Sequence, residues 1–210
     1  MHKLLKVVFV SSVLALSPVM PQVLVLPAYA QALPGDVEAA ILLLPAAQQA
    51  RVRANIAAIP ALLNLSPVQV AAVASMSLNQ ARSVMSLPET QRVTVVEAIV
   101  EVKQASPATI EVAMANLSAA LETAAEATGS AGLVAAVAVG VAANLAEVAV
   151  AAPADSPLRD VAAAALTAAA ATVDEDSPLA DTILTAATNV AAGADTLDET
   201  IGAIDESSPT

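Results

Sequence analysis

The stretch ADSPLRDVAAAALTAAAATVDEDSPLADTILTAATNVAAG, residues 154–193, sets out the plan of the chain. Asp155-Ser156-Pro157-Leu158 recurs 21 residues later as Asp176-Ser177-Pro178-Leu179, and Asp160 recurs as Asp181. Each Ser-Pro pair reads as a helix start. The Ser oxygen accepts an orphan backbone N–H, and Pro in the first helical position has no N–H to strand. Alanine, the best intrinsic helix former, dominates the residues after each pair. Gly193 stands where a helix stop is expected. The pattern predicts helices over 157–173 and 178–192, with Leu179, Ile183, Ala186 and Val190 on one face at steps of four and three. Reuse of one good cap between helices of equal length accounts for the interval without a repeat architecture.

Ser66-Pro67 and Ser106-Pro107 give two more starts of the same kind. Ser66 with Gln69, Ser86 with Glu89 and Thr196 with Glu199 fit the capping box. Gly129 gives a second stop. The marks predict helices over 67–85, 88–104, 107–128 and 131–151, with shorter ones over 36–44, 46–58 and 197–204. Ile110, Met114, Leu117, Leu121 and Thr128 share one face, with Glu111, Ser118, Glu122 and Glu126 opposite. Val52, Ile56, Ile59 and Leu63 form another stripe. The expected fold is all-α: an Ala-rich antiparallel helical bundle, or a short helical array, of about 6–9 helices.

Residues 1–30 read as a signal peptide. His2, Lys3 and Lys6 make the basic start, an apolar run comes next, and Ala28-Tyr29-Ala30 is a small-x-small cleavage site before Gln31. The expected organisation is a signal peptide over 1–30, one helical domain over 31–206 and a disordered tail over 207–210. The expected location is periplasmic or secreted.

Cleavage would remove Phe9, Tyr29 and His2, the chain's only Phe, Tyr and His, and the sequence holds no Cys or Trp. Six bases against twenty acids would remain, a net charge of −14. Such a chain repels nucleic acid, whose binding depends on Lys and Arg neutralising phosphates. With neither imidazole nor thiol, Ser-His and Cys-His catalysis and zinc sites built on those ligands are excluded. Lys103 is the one lysine left, and no Ser stands three positions before it. No catalytic, cofactor-binding or metal-ligating residue is assigned, and no enzyme activity or cofactor is expected. The acids Asp174, Glu175 and Asp176, with Asp155, Asp160 and Asp181, read as helix-start charges favoured by the macrodipole, ahead of a calcium site.

Residues 127–146 carry no charge and are long enough to span a bilayer. Their apolar content is weak and no base flanks them, so a buried central helix is the better reading. The functional expectation is an exported, non-catalytic helical protein acting through its surface in a structural, adaptor or envelope-associated role. One alternative is a carrier of an apolar ligand such as a fatty acyl chain, with 93–102 and 133–150 as lining. A second is a membrane-active protein inserting residues 131–151. The partner is thus an unknown protein or an apolar ligand; membrane association is not favoured.

Overall fold

A computed structural model describes residues 33–130 and 132–194. The expected signal peptide, the helix over 197–204 and the tail over 207–210 lie outside the described residues. The described chain is all-helical: α1 (Gly35–Leu42), α2 (Ala46–Ala58), a 3-10 turn (Pro60–Asn64), α3 (Pro67–Ala74), α4 (Leu78–Met85), α5 (Glu89–Gln104), α6 (Ile110–Thr128), α7 (Leu133–Ala151), α8 (Pro157–Ala170) and α9 (Pro178–Ala191).

The starts and stops of the C-terminal half obey the sequence signals. Ser156 Oγ accepts from the backbone N–H of Leu158 at 3.3 Å, and Ser177 Oγ from that of Leu179 at 3.3 Å. Gly129 ends α6 in the left-handed region at φ 70°, and Gly193 stands just after α9 at φ 77°. Ser130 N–H then closes back on Ala125 O at 3.1 Å, satisfying an orphan carbonyl.

Three expectations about the N-terminal half are corrected. The helix expected over 67–85 is two helices, broken at Ser75-Met76-Ser77. The reason is a second capping box: Gln80 Oε1 accepts from Ser77 N–H at 3.1 Å, and Ser77 Oγ from Gln80 N–H at 3.4 Å. Ser86 and Glu89 form no such box. Ser86 Oγ instead donates to Ser83 O at 2.8 Å at the end of α4, and Pro88 holds the N-cap position of α5. Ser106-Pro107 opens a turn, and the helix proper begins at Ile110 after Thr109 Oγ1 has accepted from Ser106 N–H at 2.9 Å.

The predicted faces hold where the helices run unbroken. Ile110, Met114, Leu117 and Leu121 of α6 are buried, and Glu111, Glu122 and Glu126 are exposed. Thr128 is exposed, and Ala124 completes the buried stripe. The Val52–Leu63 stripe fails at its end. The 3-10 turn changes the angular step after Ala58, so Leu62 is buried while Leu63 faces out.

The core is built around α7. Every residue from 136 to 146 is buried, and α7 packs against α4, α5, α6, α8 and α9. It is long and apolar enough to cross a membrane, at a mean hydropathy of 2.1, yet 72% of that window is buried inside the protein. Its neighbours pack in sequence: α5 on α6, α6 on α7, α7 on α8 and α8 on α9. Alanine supplies much of this contact, including Ala138, Ala142, Ala146, Ala162, Ala165 and Ala169. Small side chains let helix axes approach closely, at some loss of buried area per residue.

Gly140 has a specific reason to lack a side chain. A Cβ there would sit 2.3 Å from the side-chain amide of Gln80. That amide is buried and closes the Ser77 box, so it cannot swing away freely. Gly140→Ala would gain about 1 kcal/mol of helix propensity. It would lose about 1 kcal/mol of capping and up to ~2 kcal/mol through a displaced, buried amide. We expect a net loss of about 1 kcal/mol in urea unfolding, smaller when Gln80→Ala is added. A stabilised single variant would contradict this contact.

Candidate functional site

Among the described residues, the buried polar side chains other than Arg159 gather on one side of α7. Gly140, Asn144 and Glu147 succeed one another at steps of four and three, so they share a face of the helix. Gln80 lies over Gly140; Ser75, Gln48, Lys103 and Arg51 reach the next two turns.

Local structure puts each group in place. The break between α3 and α4 leaves Ser75 at the end of α3, with its carbonyl free of the helix ladder. Asn144 Nδ2 donates to Ser75 O at 2.9 Å, and Arg51 Nη1 donates to the same oxygen at 3.1 Å. Asn55 adds two further bonds to the break, from Nδ2 to Ala74 O at 2.8 Å and to Met76 O at 2.9 Å. The carbonyls exposed by the interruption are thus taken up by side chains of α2 and α7, as buried carbonyls require.

Lys103 approaches from α5. Its stripe mates Val95, Ile99 and Val102 are buried, so the helix carries its stem inward. Lys103 Nζ donates to Ser75 Oγ at 2.6 Å and also to Asn144 Oδ1. Ser75 Oγ in turn donates to Ala72 O at 3.0 Å. Burial pushes the Lys103 amine down from 10.5 to about 7; the nearby Glu147 charge opposes this and the Arg51 charge adds to it.

Arg51 and Glu147 close the outer side. The guanidinium grips the carboxylate through two bonds, Nη2 to Oε1 at 2.8 Å and Nη1 to Oε2 at 3.0 Å. Gln48 Nε2 donates to Asn144 O and Glu147 Oε2, both at 3.3 Å. Two atoms of the cluster, Gln48 Oε1 and Gln80 Nε2, are buried without a hydrogen-bond partner.

Chemically, the cluster joins a hydroxyl to an amine that can hold or release a proton near neutral pH. That pairing is the core of an activated nucleophile. Access is the missing element, because Ser75 is 0% exposed and its carbonyl carries two side-chain bonds. No serine stands three residues before Lys103 in the sequence; the fold supplies one 28 residues before it. The available signal was the placement of Lys103 on the apolar stripe of α5, and of Asn144 within the apolar run of α7.

The acidic positions singled out in the sequence do not converge. Asp155, Asp160, Asp174, Glu175, Asp176 and Asp181 are all exposed, and among the described residues no three carboxylates are grouped to hold a metal ion. Asp174 Oδ1 accepts from Asp176 N–H at 3.1 Å, a local turn ahead of α9. Arg159, by contrast, is buried and donates to Pro153 O, Ala194 O and Ala152 O, tying the α7–α8 link to the end of α9. No protein-family model, curated protein or solved structure matches this chain.

Proposed function

We propose that this is an exported, non-catalytic helical protein that acts through its surface in the periplasm or outside the cell. One observation carries the reading: among the described residues, the densest group of chemistry-bearing side chains is engaged in holding helices together. Ser75, the hydroxyl that the described residues place beside a tuned amine, is fully buried. A substrate carbonyl must come within about 3–3.5 Å of an attacking oxygen, and the packing around Ser75 leaves no approach.

The outer face fits a contact role. It is acidic, with Glu97, Glu101, Glu111, Glu122 and Glu126 exposed on α5 and α6. Leu42 and Leu43 project into solvent at the end of α1, 60% and 87% exposed. The burial of α7 within the helices supports a core role for that apolar segment over membrane insertion.

Two measurements test the proposal. Purified protein is expected to hydrolyse a panel of activated acyl esters no faster than its Ser75→Ala variant. Turnover that depends on Ser75 would overturn the non-catalytic reading. Protein recovered from the periplasm or medium is expected to begin at Gln31; material found only in the cytoplasm would overturn export.

A further inference from the structure

Lys103 has an unusual hydrogen-bond balance. A neutral amine has two N–H groups, and both are used, on Ser75 Oγ and Asn144 Oδ1. An ammonium has three and accepts nothing. The described residues offer the amine these two acceptors and no third within hydrogen-bond distance. The strongest acceptor on the same side of α7 is the Glu147 carboxylate, which is within ion-pair distance of Arg51 and not of Lys103.

We propose that Lys103 is a proton-operated clasp: unprotonated, it completes the junction of α2, the α3–α4 break, α5 and α7, and protonated, it draws Glu147 off Arg51 and loosens α2 from that junction. The proton comes from solvent and adds to the amine lone pair; no bond between heavy atoms forms or breaks. Glu147 is taken in preference to the free Gln48 Oε1 because a charge-assisted bond is roughly twice as strong as a neutral one. Once Glu147 turns, Arg51 keeps only its bond to Ser75 O. Gln48 loses its bond to the carboxylate as well. Both residues lie on α2, so one protonation event weakens two of the attachments of that helix.

The surroundings isolate the switch. Glu147 on α7 and Arg51 on α2 are the charges that act on the amine. Among the other helices packed on α5, α3 carries no charged residue, Arg82 of α4 is exposed, and Glu111, Glu122 and Glu126 lie on the outer face of α6. On α5 itself, Glu89, Glu97 and Glu101 are exposed, and half-buried Arg92 donates to Met85 O. The described residues contain no His and no Cys, so none of their other side chains has an ordinary titration between about pH 5 and 8. The depressed value of about 7 places the event in that range. The device goes beyond a passive surface role: it makes the hold on α2, and so the surface that α2 presents, respond to the pH of the compartment.

The test is an NMR titration of isotope-labelled protein from pH 5.5 to 10, tracking Lys103 Nζ and Cε, Arg51 Nε and Glu147 Cδ. The expected midpoint for Lys103 is about 7. Arg51, Glu147 and the backbone amides of α2 are expected to shift with that same midpoint, while the amides of α9 stay still. In Lys103→Met the shifts at Arg51 and Glu147 between pH 6 and 8 should vanish. Glu147→Gln offers a second variant with the amine intact: its Lys103 midpoint should fall further, and the Arg51 response should be lost. A Lys103 that titrates like an ordinary lysine, near 10.4, would overturn the clasp. So would Arg51 and Glu147 signals that do not move while Lys103 titrates.

Discussion

Asn144→Leu is expected to lower the unfolding free energy by about 3 kcal/mol. Leucine is similar in size and more apolar, so burial alone would favour it by roughly 1–2 kcal/mol. The bonds decide against it. Asn144 Nδ2 holds Ser75 O, and its Oδ1 accepts from Lys103. Leucine would leave the half-buried Lys103 with one partner for its amine where it had two. A buried group that loses its partner costs its full desolvation. Adding Lys103→Met should recover most of the loss, because replacing both members of a buried polar pair by apolar groups is often nearly neutral. Urea unfolding monitored by circular dichroism measures both variants; fluorescence is unsuited, since the described residues hold no aromatic side chain. Wild-type stability in Asn144→Leu would mean that the cluster does not pin the helices.

The second large effect is expected in the alanine layer. Ala142 of α7 is fully buried in the segment where every residue of that helix is enclosed. Ala142→Leu adds apolar surface that is worth roughly 2 kcal/mol if it finds room. Close-packed helices offer no room, and overpacking costs about 3 kcal/mol where neither partner helix can retreat. The expected outcome is a net loss of about 1–3 kcal/mol, depending on how much of the added surface finds contact, and a lowered urea midpoint. A gain in stability would instead mean that the side chain had filled a void. That result would favour the reading of the protein as a carrier of an apolar ligand.

These two positions show how far the sequence was legible. Short-range signals carried the C-terminal half: Ser156-Pro157, Ser177-Pro178, Gly129 and Gly193 act within one helical turn, and each works as its chemistry implies. The stripe of α6 was legible for the same reason, since its periodicity persists along the whole helix without a break. The N-terminal half was harder because its helices are short and their signals compete. Ser77 and Gln80 spell a capping box inside what reads as one continuous helix over 67–85. Ser86 and Ser106 resemble helix starts but serve the end of α4 and a turn.

The polar cluster was not legible as a unit. Its bonds join residues 28, 41, 69 and 96 positions apart, and no local pattern encodes such pairings. Individual members did leave a trace, because Lys103 falls on the apolar stripe of α5 and Asn144 interrupts the apolar run of α7. A lone polar residue on a buried stripe signals that a partner must exist elsewhere in the chain. It does not say which one. The break after Ala74, which frees the Ser75 carbonyl, was itself unread, and without it the meeting point of α2, α5 and α7 had no anchor.

The most direct measurement is the unfolding free energy as a function of pH between 7 and 10. The folded protein holds the Lys103 amine at about 7, against 10.5 in the absence of burial. Across that interval the unfolded chain binds a proton that the folded chain does not, so stability must rise with pH. A buried amine at the helix junction predicts a gain on the order of 3 kcal/mol from pH 7 to pH 10, a plateau below 7, and a flat profile for Lys103→Met. A flat or falling profile in the unaltered protein would show that Lys103 is an ordinary solvated lysine, and that no buried amine joins these helices.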